Sequence, residues 1–551
     1  MTAGRSRDPA PARRRRVALT AVVVGLITAG AIGVGLHSSA QSSRRALVQS
    51  IFQDDDHLLY APTPVVQRTL SELRRLGVDR LRLTVLWSAI APDAGSRRAP
   101  DRFRARDPAA YSATSWFPYD RIALLARASG IGVAFNVTAP GPLWAMASPA
   151  PSAKIANHLR PSATAFGDFV TAVGRRYDGH YAVPTPSGQP ITLPRVDYWT
   201  VWNEPNQPGW LYPQWRQVSR HWVMDSPRLY RLYVDAAFSA LARTGHTPAR
   251  DTILIGELAP EGSESSAEGA AIPPLPFIRA LYCVDDSFRP LRGDAAALLH
   301  CPAAGDGAAF VRAHPGLFRL TGFAHHPYSF FLAPTARFPD PNFAPLSQLP
   351  RLENVLDRSL SAYGVPRRLP LYLTEYGYET YPPNPFRGVS LARQALYLQQ
   401  AQYMAAGDGR VRAMAQFLLV DSLPDSSYPR GSERYWSTFQ TGLRFAAGGE
   451  KPSLAAYRLP IFLPRPVLTP GDPLPVWGML RAAPNFTTQS ALIQWRPVHG
   501  PFRTLERVST SDPSGILSAN VDVPGPGALR IAWTSSQGEV VHSLPAPITA
   551  H

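Results

Sequence analysis

The sequence has few of the residues and spacings that mark metal-binding and nucleic-acid-binding proteins. Only two cysteines occur in 551 residues, Cys283 and Cys301, and neither has a Cys-x-x-Cys partner. A metal site is therefore not expected. No zinc-finger or basic-zipper spacing is present, so nucleic acid is the least favoured partner. The chain also has no internal repeat and no long low-complexity tract.

Positive charge is in clear excess and is spread along the chain. Lys+Arg total 56 against 40 Asp+Glu, a formal net charge of +16, and nearly all of the basic residues are arginine. Because the arginines do not gather into one stripe, the pattern favours a soluble basic surface over attraction to acidic envelope polymers or anionic lipids.

An apolar segment near the amino terminus predicts export. Arg13–Arg16 stands directly before Val17–Leu36, which carries no charge and is about long enough to cross a bilayer core. Residues 1–16 are expected to stay in the cytoplasm. Residues 17–36 would act as a membrane anchor, which their length favours, or as a secretory signal cleaved near Ala40. The rest of the chain would then lie outside, held at the cell membrane or secreted.

The two cysteines are expected to pair. Cys283 and Cys301 lie in one insertion rich in proline, glycine and aspartate. An exported chain meets oxidising conditions, which favour a disulfide over free thiols. The bond would close a loop of modest size and stabilise the fold by about 3 kcal/mol on chain-entropy grounds.

The chain is long enough for two globular units, and the first shows an alternating α/β pattern. Short apolar runs alternate with amphipathic helical patterns such as 64–76 and 162–177, which predicts a parallel sheet. Eight such strand–helix units are best closed as a (β/α)8 TIM barrel, whose strand carboxyl ends meet at one face. The predicted strands are one between Val48 and Leu59, then Arg80–Trp87, Ile131–Thr138, Asp197–Trp202, Thr252–Leu258, Gly322–Tyr328, Leu369–Tyr376 and Val411–Val420.

Beyond about residue 465 the pattern changes to short strand-like runs separated by turn residues. Runs at 474–480, 491–497, 515–523 and 528–534 predict a small β-sandwich. We therefore expect a linker at residues 37–49, a barrel domain at 50–462 and a β-sandwich at 466–551. Packing of the sandwich against the barrel is favoured over a separate binding role.

Two segments of the predicted barrel deliver a glutamate to the end of a strand. The run Tyr198–Asn206 reads Tyr-Trp-Thr-Val-Trp-Asn-Glu-Pro-Asn and places Glu204 after the fourth strand. The run Leu371–Gly377 reads Leu-Tyr-Leu-Thr-Glu-Tyr-Gly and places Glu375 after the seventh. Cleavage of a glycosidic bond needs one carboxylic acid to protonate the leaving oxygen and one carboxylate to act at the anomeric carbon. Together the two motifs predict glycoside hydrolysis.

These motifs resemble glycoside hydrolase clan A, the retaining barrel enzymes that include family 5 cellulases and family 39 xylosidases, over roughly residues 50–460. The resemblance implies that Glu204 is the general acid/base and Glu375 the nucleophile. Asn203 matches the asparagine that contacts the sugar 2-hydroxyl. A retaining enzyme forms a covalent glycosyl intermediate, with its two carboxyl groups about 5 to 5.5 Å apart.

Three further positions match the clan pattern. Arg82, on the second strand, resembles the arginine that keeps the nucleophile ionised, although a buried salt-bridge arginine is an equal alternative. His326 and Tyr328, after the sixth strand, resemble the clan's His-x-Tyr region and would lie near the nucleophile. His325 is expected to be a core histidine, and no further ligands for a metal accompany the pair.

Tryptophans are the candidates for stacking on sugar rings, because a pyranose presents an apolar face to an aromatic plane. Trp144 and Trp210 are favoured, since each follows a strand end in a loop rich in proline and glycine. The chain departs from the clan pattern at the eighth strand, where residues 415–421 contain no tryptophan. Trp436 is a possible substitute from the next loop, so the clan's substrates cannot be transferred. All the candidate tryptophans are Trp87, Trp144, Trp202, Trp210, Trp215 and Trp436.

The favoured function is an exported retaining β-glycosidase that acts on an envelope or environmental polysaccharide. Its expected partner is a carbohydrate, with the membrane a second partner if residues 17–36 stay attached, and no cofactor is expected. A non-hydrolytic glycan-binding protein on the same barrel is an alternative, but it predicts a missing catalytic group. A transglycosylase would carry the same residues and stays open.

Overall fold

The computed structural model describes residues 46–185, 188–303, 306–469 and 471–550. The predicted segments 1–16 and 17–36 lie outside the described residues. Among the helices that are described, none is long and apolar enough to cross a bilayer.

The main body is a closed barrel of eight parallel strands. The strands pair in chain order, and the eighth closes on the first. The predicted parallel eight-strand barrel is therefore confirmed. From first to eighth, the barrel strands are Gln49–Gln53, Arg80–Leu86, Gly132–Thr138, Tyr198–Val201, Thr252–Leu258, Gly322–His325, Leu371–Leu373 and Val411–Phe417.

Helices surround the barrel and bury one apolar face each. Thr63–Arg75 begins with a proline in its first turn and buries Val66, Leu70 and Leu73 against the strands. It ends where Gly77 adopts φ +78°, a left-handed conformation that suits glycine. The helices are Thr63–Arg75, Trp87–Ile90, Ala113–Ala128, Ala163–Arg176, Ser226–Arg243, Pro274–Leu281, Gly293–Leu298, Gly307–Ala313, Pro315–Phe318, Leu349–Ser361, Leu391–Gly407 and Pro452–Arg458, with short helical turns at Asp56–Tyr60, Pro108–Ala110, Leu143–Ala145, Ala153–Ile155, Leu346–Gln348 and Glu433–Trp436.

Small side chains fill much of the barrel interior around two tyrosines. Tyr198 and Tyr372 meet edge to face, with their ring centroids 5.8 Å apart. A Cβ on Gly322 would lie 2.4 Å from the Tyr372 ring, so this strand needs glycine where the ring crosses the barrel. The interior group consists of Ile51, Ala134, Tyr198, Leu254, Ala324, Tyr372, Ala413 and Ala415. This packed layer is a solid floor beneath the carboxyl ends of the strands.

The sixth and seventh barrel strands are shorter than the sequence predicts. The sixth ends at His325 rather than Tyr328, and the seventh at Leu373 rather than Tyr376. The ladder closes with the Thr374 amide donating to the His325 carbonyl at 3.1 Å. His326, Tyr328 and Glu375 therefore lie just beyond the hydrogen-bonded strands, where side chains can turn toward the barrel axis.

Two sheets follow the barrel and share one apolar core. A buried cluster joins Val476 and Leu517 of the first sheet to Ile493 and Ile531 of the second. Sequence patterning did not predict Arg503–Thr510, because this edge strand carries mostly exposed polar side chains. The first sheet contains Ile461–Phe462, Leu474–Met479 and Ile516–Val521, and the second Val467–Leu468, Gln489–Pro497, Arg503–Thr510, Gly527–Thr534, Val540–His542 and Ala546–Ala550. Short strand pairs elsewhere are Ala182–Val183 with Ile191–Thr192, Trp215–Val218 with His221–Met224, and Thr380–Tyr381 with Val389–Ser390.

The C-terminal sheets contact the amino-terminal ends of the first two barrel strands. Buried Arg481 donates to the Ser50 hydroxyl and packs its guanidinium 4.0 Å over the Tyr457 ring. Asn485 Nδ2 donates to Asp79 Oδ1 at 2.7 Å. The approach is closest at Gly77, where a Cβ would lie 2.2 Å from the Arg481 carbonyl oxygen. The sheets therefore occupy the end of the barrel opposite the predicted site.

Candidate active site

A cavity of about 1010 Å³ opens at the carboxyl ends of the barrel strands. Asn203 and Glu204 of the fourth strand's loop line it, and so do Tyr328 and Glu375 from the sixth and seventh. Residues more than 100 positions apart in the chain are thus gathered at the face where a barrel of this type places its chemistry.

Glu204 is aimed into the cavity by a strained turn. Trp202 and Glu204 both adopt positive φ, at +69° and +36°, which costs free energy for any residue other than glycine. The turn is held because the Trp202 amide donates to the Val137 carbonyl at 2.9 Å and the Glu204 amide to the Glu257 carbonyl at 3.0 Å. Two neighbouring barrel strands therefore fix the acid's backbone.

Glu204 and Glu375 approach each other closely. One carboxylate oxygen of each lies within 4.8 Å of the other, and a ring nitrogen of His326 lies within the same distance of both. Glu204 is partly exposed, whereas Glu375 is buried. The two carboxyl groups can therefore act on one substrate atom or on adjacent atoms.

Arg82 connects the nucleophile candidate to three other side chains. Its Nη1 donates to Glu375 Oε1 at 2.8 Å and also to Gln53 Oε1. Its Nη2 donates to Asn203 Oδ1 at 2.7 Å and to Glu257 Oε2 at 2.6 Å. The guanidinium is 1% exposed. A planar, fixed fork of donors satisfies this set of acceptors, and a flexible ammonium would not.

Glu257 is a buried carboxylate that the sequence analysis missed. It lies near the end of the fifth strand with φ +50°, directly after Gly256 at φ +108°. Burial alone would raise its pKa, but Arg82 and His326 together lower the pKa to about 2. Glu257 is therefore a permanent anion between two cations. A third glutamate at a predicted strand end was the signal available in the sequence.

His326 bridges three carboxylates. Its Nδ1 lies 2.9 Å from Glu204 Oε1 and 3.5 Å from Glu375 Oε2, and its Nε2 lies 2.7 Å from Glu257 Oε2. Burial disfavours a charged ring, but Glu375, Glu204 and Glu257 outweigh burial and raise the pKa of His326 to about 10. At neutral pH the ring is an imidazolium that donates from both nitrogens.

Tyr328 completes the setting of Glu375. Its hydroxyl donates to Glu375 Oε2 at 3.0 Å. Burial, together with the charge of Glu375, raises the pKa of Tyr328 well above its usual value, so the phenol stays a donor. Because Arg82 holds the other oxygen, both oxygens of Glu375 are fixed before any substrate arrives.

The cluster of Glu204, His326 and Glu375 has the composition of a possible cation site. A metal would need the free lone pair of a neutral imidazole. The surrounding carboxylates instead keep His326 protonated, and Arg82 and Tyr328 occupy the oxygens of Glu375. The donor set therefore fits a hydrogen-bonded proton network and does not fit a metal centre.

The cavity is lined by the predicted polar residues Asn203, Glu204, Tyr328 and Glu375, with Arg82 and His326 buried behind them, whereas most of the candidate tryptophans lie elsewhere. Trp210 lines the cavity. Trp87 is fully buried, 6.1 Å from the Trp144 ring, so it presents no face to a ligand. Trp144 bonds to the Pro92 carbonyl within the same aromatic cluster, away from the cavity lining.

Phenylalanines supply most of the aromatic surface. Phe417 ends the eighth strand, lines the cavity and packs edge to face on Phe439 at 5.1 Å. This pair lies where the clan pattern has a tryptophan. Trp436 packs on Tyr435 in the following loop and does not line the cavity.

Two carboxyl groups on the same side of the cavity have altered acidity. Burial raises the pKa of Asp55 to about 6 despite a bond from the Thr84 amide. Burial likewise raises the pKa of Glu379 to about 7 despite a bond from Asn384. Glu379 near neutral pH, and Asp55 near pH 6, can therefore donate as well as accept a hydrogen bond, which suits recognition of hydroxyl groups.

Three other predicted residues lie outside the cavity. Cys283 and Cys301 form the predicted disulfide, beside buried Arg231, whose Nη1 lies 3.0 Å from Cys283 Sγ. His325 Nε2 lies 2.7 Å from the Ala344 carbonyl. Burial lowers the pKa of His325 to about 4, so it is a neutral histidine within the core.

Comparison with known proteins gives distant structural likenesses only. No family model and no curated protein matches the chain. A family 39 glycoside hydrolase from Bacteroides cellulosilyticus WH2 aligns with 14% identity and a TM-score of 0.44, over 87% of this chain and 79% of that chain. These structural neighbours are glycoside hydrolases.

Two further neighbours are a family 1 β-glucosidase from Thermotoga maritima and β-glucuronidase 2 from Bacteroides uniformis. The first aligns with 14% identity and a TM-score of 0.41, over 71% of this chain and 84% of that chain. The second aligns with 11% identity and a TM-score of 0.40, over 92% of this chain and 46% of that chain. At such distances the neighbours assign no activity to this chain.

Proposed function

We propose that this protein is a retaining glycoside hydrolase. The observation that carries the proposal is the placement of Glu204 and Glu375 in one large cavity, with an oxygen of each within 4.8 Å. Retaining enzymes place their carboxyl groups about 5 to 5.5 Å apart, whereas inverting enzymes need about 6.5 to 9.5 Å to admit a water. The short separation favours attack by a carboxylate over attack by water.

Glu375 is the proposed nucleophile. Arg82 and Tyr328 each hold one of its oxygens, which orients the carboxylate for attack. It attacks the anomeric carbon as the glycosidic bond breaks, and a covalent glycosyl–enzyme ester forms. A water later displaces Glu375 from that carbon, so the configuration is inverted twice and retained overall.

Glu204 is the proposed acid and base. Its Oε1 accepts from His326 at 2.9 Å, so the transferable proton belongs on Oε2. That proton passes to the leaving oxygen in the first step, and Glu204 takes a proton from water in the second. His326 keeps both of its own protons and acts as a positioning residue.

The charges of the site support this assignment. Arg82 and His326 are cations, and Glu257 and Glu375 are anions in direct contact with them. Two buried cations are thus matched by two anions, as a buried site requires.

A panel of 2-deoxy-2-fluoro glycosyl fluorides tests the proposal. Such sugars form the covalent intermediate but hydrolyse slowly, so mass spectrometry of peptic fragments should find the label on Glu375. Glu375→Gln should take no label. Label on another carboxylate, or complete turnover with inverted product stereochemistry by NMR, would contradict the mechanism.

We also infer that the chain acts outside the cytoplasm. The basic and apolar segments 13–16 and 17–36 suit export, and the disulfide suits an oxidising compartment. Digestion of whole cells with an added protease, together with fractionation of the medium, tests this. The chain is expected in the medium or to be degraded in intact cells, and degradation only after lysis would refute it.

A further inference from the structure

The cavity has a polar half and an apolar half, divided by position around the barrel. Gln53 ends the first strand and Asp55 follows it, Thr84 lies on the second, Glu379 follows the seventh and Thr441 follows the eighth. All five line the cavity, together with aromatic rings that include Phe417 and Phe439. This half offers both the hydrogen-bonding groups and a flat surface that a sugar ring needs.

The other half follows the fifth and sixth strands and is mostly hydrocarbon. Ser329 accepts from the Tyr376 hydroxyl at 3.5 Å, and Glu261 adds a carboxyl group. Gln207, from the neighbouring loop after the fourth strand, donates from Nε2 to the Glu261 carbonyl at 3.1 Å. The loop after the sixth strand contributes a group of side chains that we term the apolar wall, which consists of Phe330, Phe331, Leu332, Phe338, Pro339 and Phe343.

The apolar wall begins at the nucleophile. Tyr328, which donates to Glu375, stacks on Phe330 with ring centroids 6.2 Å apart and planes 20° apart. Phe330 stacks in turn on Phe338 at 6.2 Å and 21°. A row of roughly parallel rings therefore leads from the reacting carboxylate along the cavity, and Phe330 is held in it with φ +54°.

The side chains of the apolar wall are also exposed to solvent, unlike those of a protein core. Phe331 is 62% exposed, Phe330 39% and Leu332 38%. Each exposed apolar side chain gives up the stabilisation that burial would supply, and adjacent exposed groups in a concave site mark a surface that a ligand covers. Phenylalanine and leucine have no group that can bond to a hydroxyl, so contacts with this wall favour hydrocarbon over the hydroxyl groups of a second sugar.

The position of Glu204 decides which part of a substrate meets the wall. Glu204 follows the fourth strand, beside the fifth, and it protonates the leaving oxygen. The leaving group therefore lies toward the fifth and sixth strands, where the apolar wall stands. We propose that the natural substrate is a glycoside of a large apolar aglycone, an alkyl or aryl group, rather than an oligosaccharide. This inference rests on the proposed glycosidase function.

A homologous series of alkyl glycosides tests the proposal. Methyl, butyl, hexyl and octyl glycosides of whichever sugar labels Glu375 have similar leaving-group chemistry, so kcat/KM reports contacts of the chain. Each buried methylene contributes up to about a threefold increase. We expect kcat/KM to rise at least tenfold from methyl to octyl. A flat series, or a disaccharide of the same sugar hydrolysed faster than the octyl glycoside, would overturn the proposal.

Exposed phenylalanines allow a variant test with a matched control. Phe331→Ser should flatten the chain-length series, lowering the ratio of kcat/KM on the octyl glycoside to kcat/KM on the methyl glycoside, because a 62% exposed ring of the wall is lost. Phe486→Ser changes a phenylalanine that is 72% exposed beyond the barrel, and it should keep the full wild-type slope. Equal slopes in both variants would refute a role for the wall.

Binding to Glu375→Gln separates failure of this inference from failure of the glycosidase proposal. Calorimetry with 1-butanol, 1-hexanol and 1-octanol should give affinity that rises with chain length and weakens when Phe331→Ser is added. Labelling of Glu375 without chain-length-dependent binding would support the glycosidase proposal and contradict the proposal of an apolar aglycone. Chain-length-dependent binding without labelling by any sugar would overturn both.

Discussion

His326 Nε2 lies 2.7 Å from Glu257 Oε2, and both side chains are fully buried. The contact joins a cation and an anion that neither water nor substrate reaches. It explains how a histidine can stay charged inside a barrel, and it makes Glu257 a structural condition for the placement of Glu204.

Glu257→Gln should therefore reduce both stability and activity. The change leaves Arg82 and His326 with one anion fewer, and loss of one partner from a buried ion pair costs about 3 kcal/mol or more. The unfolding temperature should fall accordingly. Hydrolysis of the methyl glycoside of the labelling sugar, whose leaving oxygen takes its proton from Glu204, should fall about tenfold or more as Glu204 loses its fixed donor. Exposed Glu506→Gln on the C-terminal sheets is the matched control and should match wild type. Unchanged hydrolysis in Glu257→Gln would remove the positioning role of His326.

The charged state of His326 gives folding stability a predictable pH dependence. Its folded pKa is raised from 6.5 to about 10, so between those values the folded state binds more protons than the unfolded state. Stability from this group is complete below pH 6.5 and is lost as pH rises through about 10, for a total of up to about 5 kcal/mol. The groups that face the ring are Glu204, Glu257, Glu375 and His325.

Urea unfolding between pH 6 and 10 measures this dependence. The stability difference between wild type and His326→Gln should be largest near pH 6 and should shrink toward pH 10. His499→Gln changes an exposed histidine and should run parallel to wild type. A constant difference for His326→Gln across the range would show that the ring is neutral in the folded protein.

Arg82→Lys tests the guanidinium fork. A lysine cannot reach Glu375, Glu257 and Asn203 together, so Glu375 should lose its orientation, and its labelling rate should fall about 100-fold. Arg80→Lys is the matched control, because Arg80 lies two residues earlier on the same strand and contacts Asp197 at 2.8 Å instead. If both variants label at similar rates, Arg82 is only a structural ion-pair residue.

Removal of the disulfide should affect stability and spare activity. It links residues 18 positions apart, so loss of the bond should cost about 3 kcal/mol. The double variant Cys283→Ser with Cys301→Ser should unfold at the temperature of reduced wild type, and dithiothreitol should not lower it further. Neither cysteine lines the cavity. An altered labelling rate at 25 °C would contradict the separation of this loop from the site.

Substitutions at two glycines measure how much the contact between the barrel and the C-terminal sheets contributes to the free energy of unfolding. Gly77 and Gly130 each follow a helix, with φ +78° and +67°. An added Cβ at Gly130 meets nothing within 4 Å, whereas at Gly77 it lies 2.2 Å from the Arg481 carbonyl. Gly130→Ala should cost about 1 kcal/mol through its backbone alone. Gly77→Ala should cost about 3 kcal/mol or more in chemical unfolding, and equal losses would mean that the contact is loose.

The barrel strands and the two glutamates of the proposed reaction could be predicted from the sequence, because each is marked by a short, characteristic sequence segment. Glu204 and Glu375 stand at the ends of buried strands, next to residues with strong turn chemistry. Parallel strands gather their carboxyl ends without any further information. The eight predicted strands therefore led directly to one cavity.

The remaining features depend on contacts between distant segments. Glu257 looked like any glutamate near a strand end until Arg82 and His326 were placed beside it. Trp87 looked available for stacking, but it turns into the helix Trp87–Ile90 and is buried by its neighbours. The phenylalanines of the apolar wall lie in a loop without periodicity, so the sequence pattern does not predict which way their side chains point.

The C-terminal sheets close one end of the barrel, and the cavity opens at the other. Arg481 and Asn485 bind residues that precede or begin the first two strands, so the contacts that bind the sheets to the barrel lie far from the loops that shape the cavity. Mutations in the loop after the sixth strand can therefore accumulate without loosening that anchorage. Selection can therefore change the substrate preference of the proposed glycosidase without lowering the stability of the scaffold. This loop is the natural place to begin directed evolution.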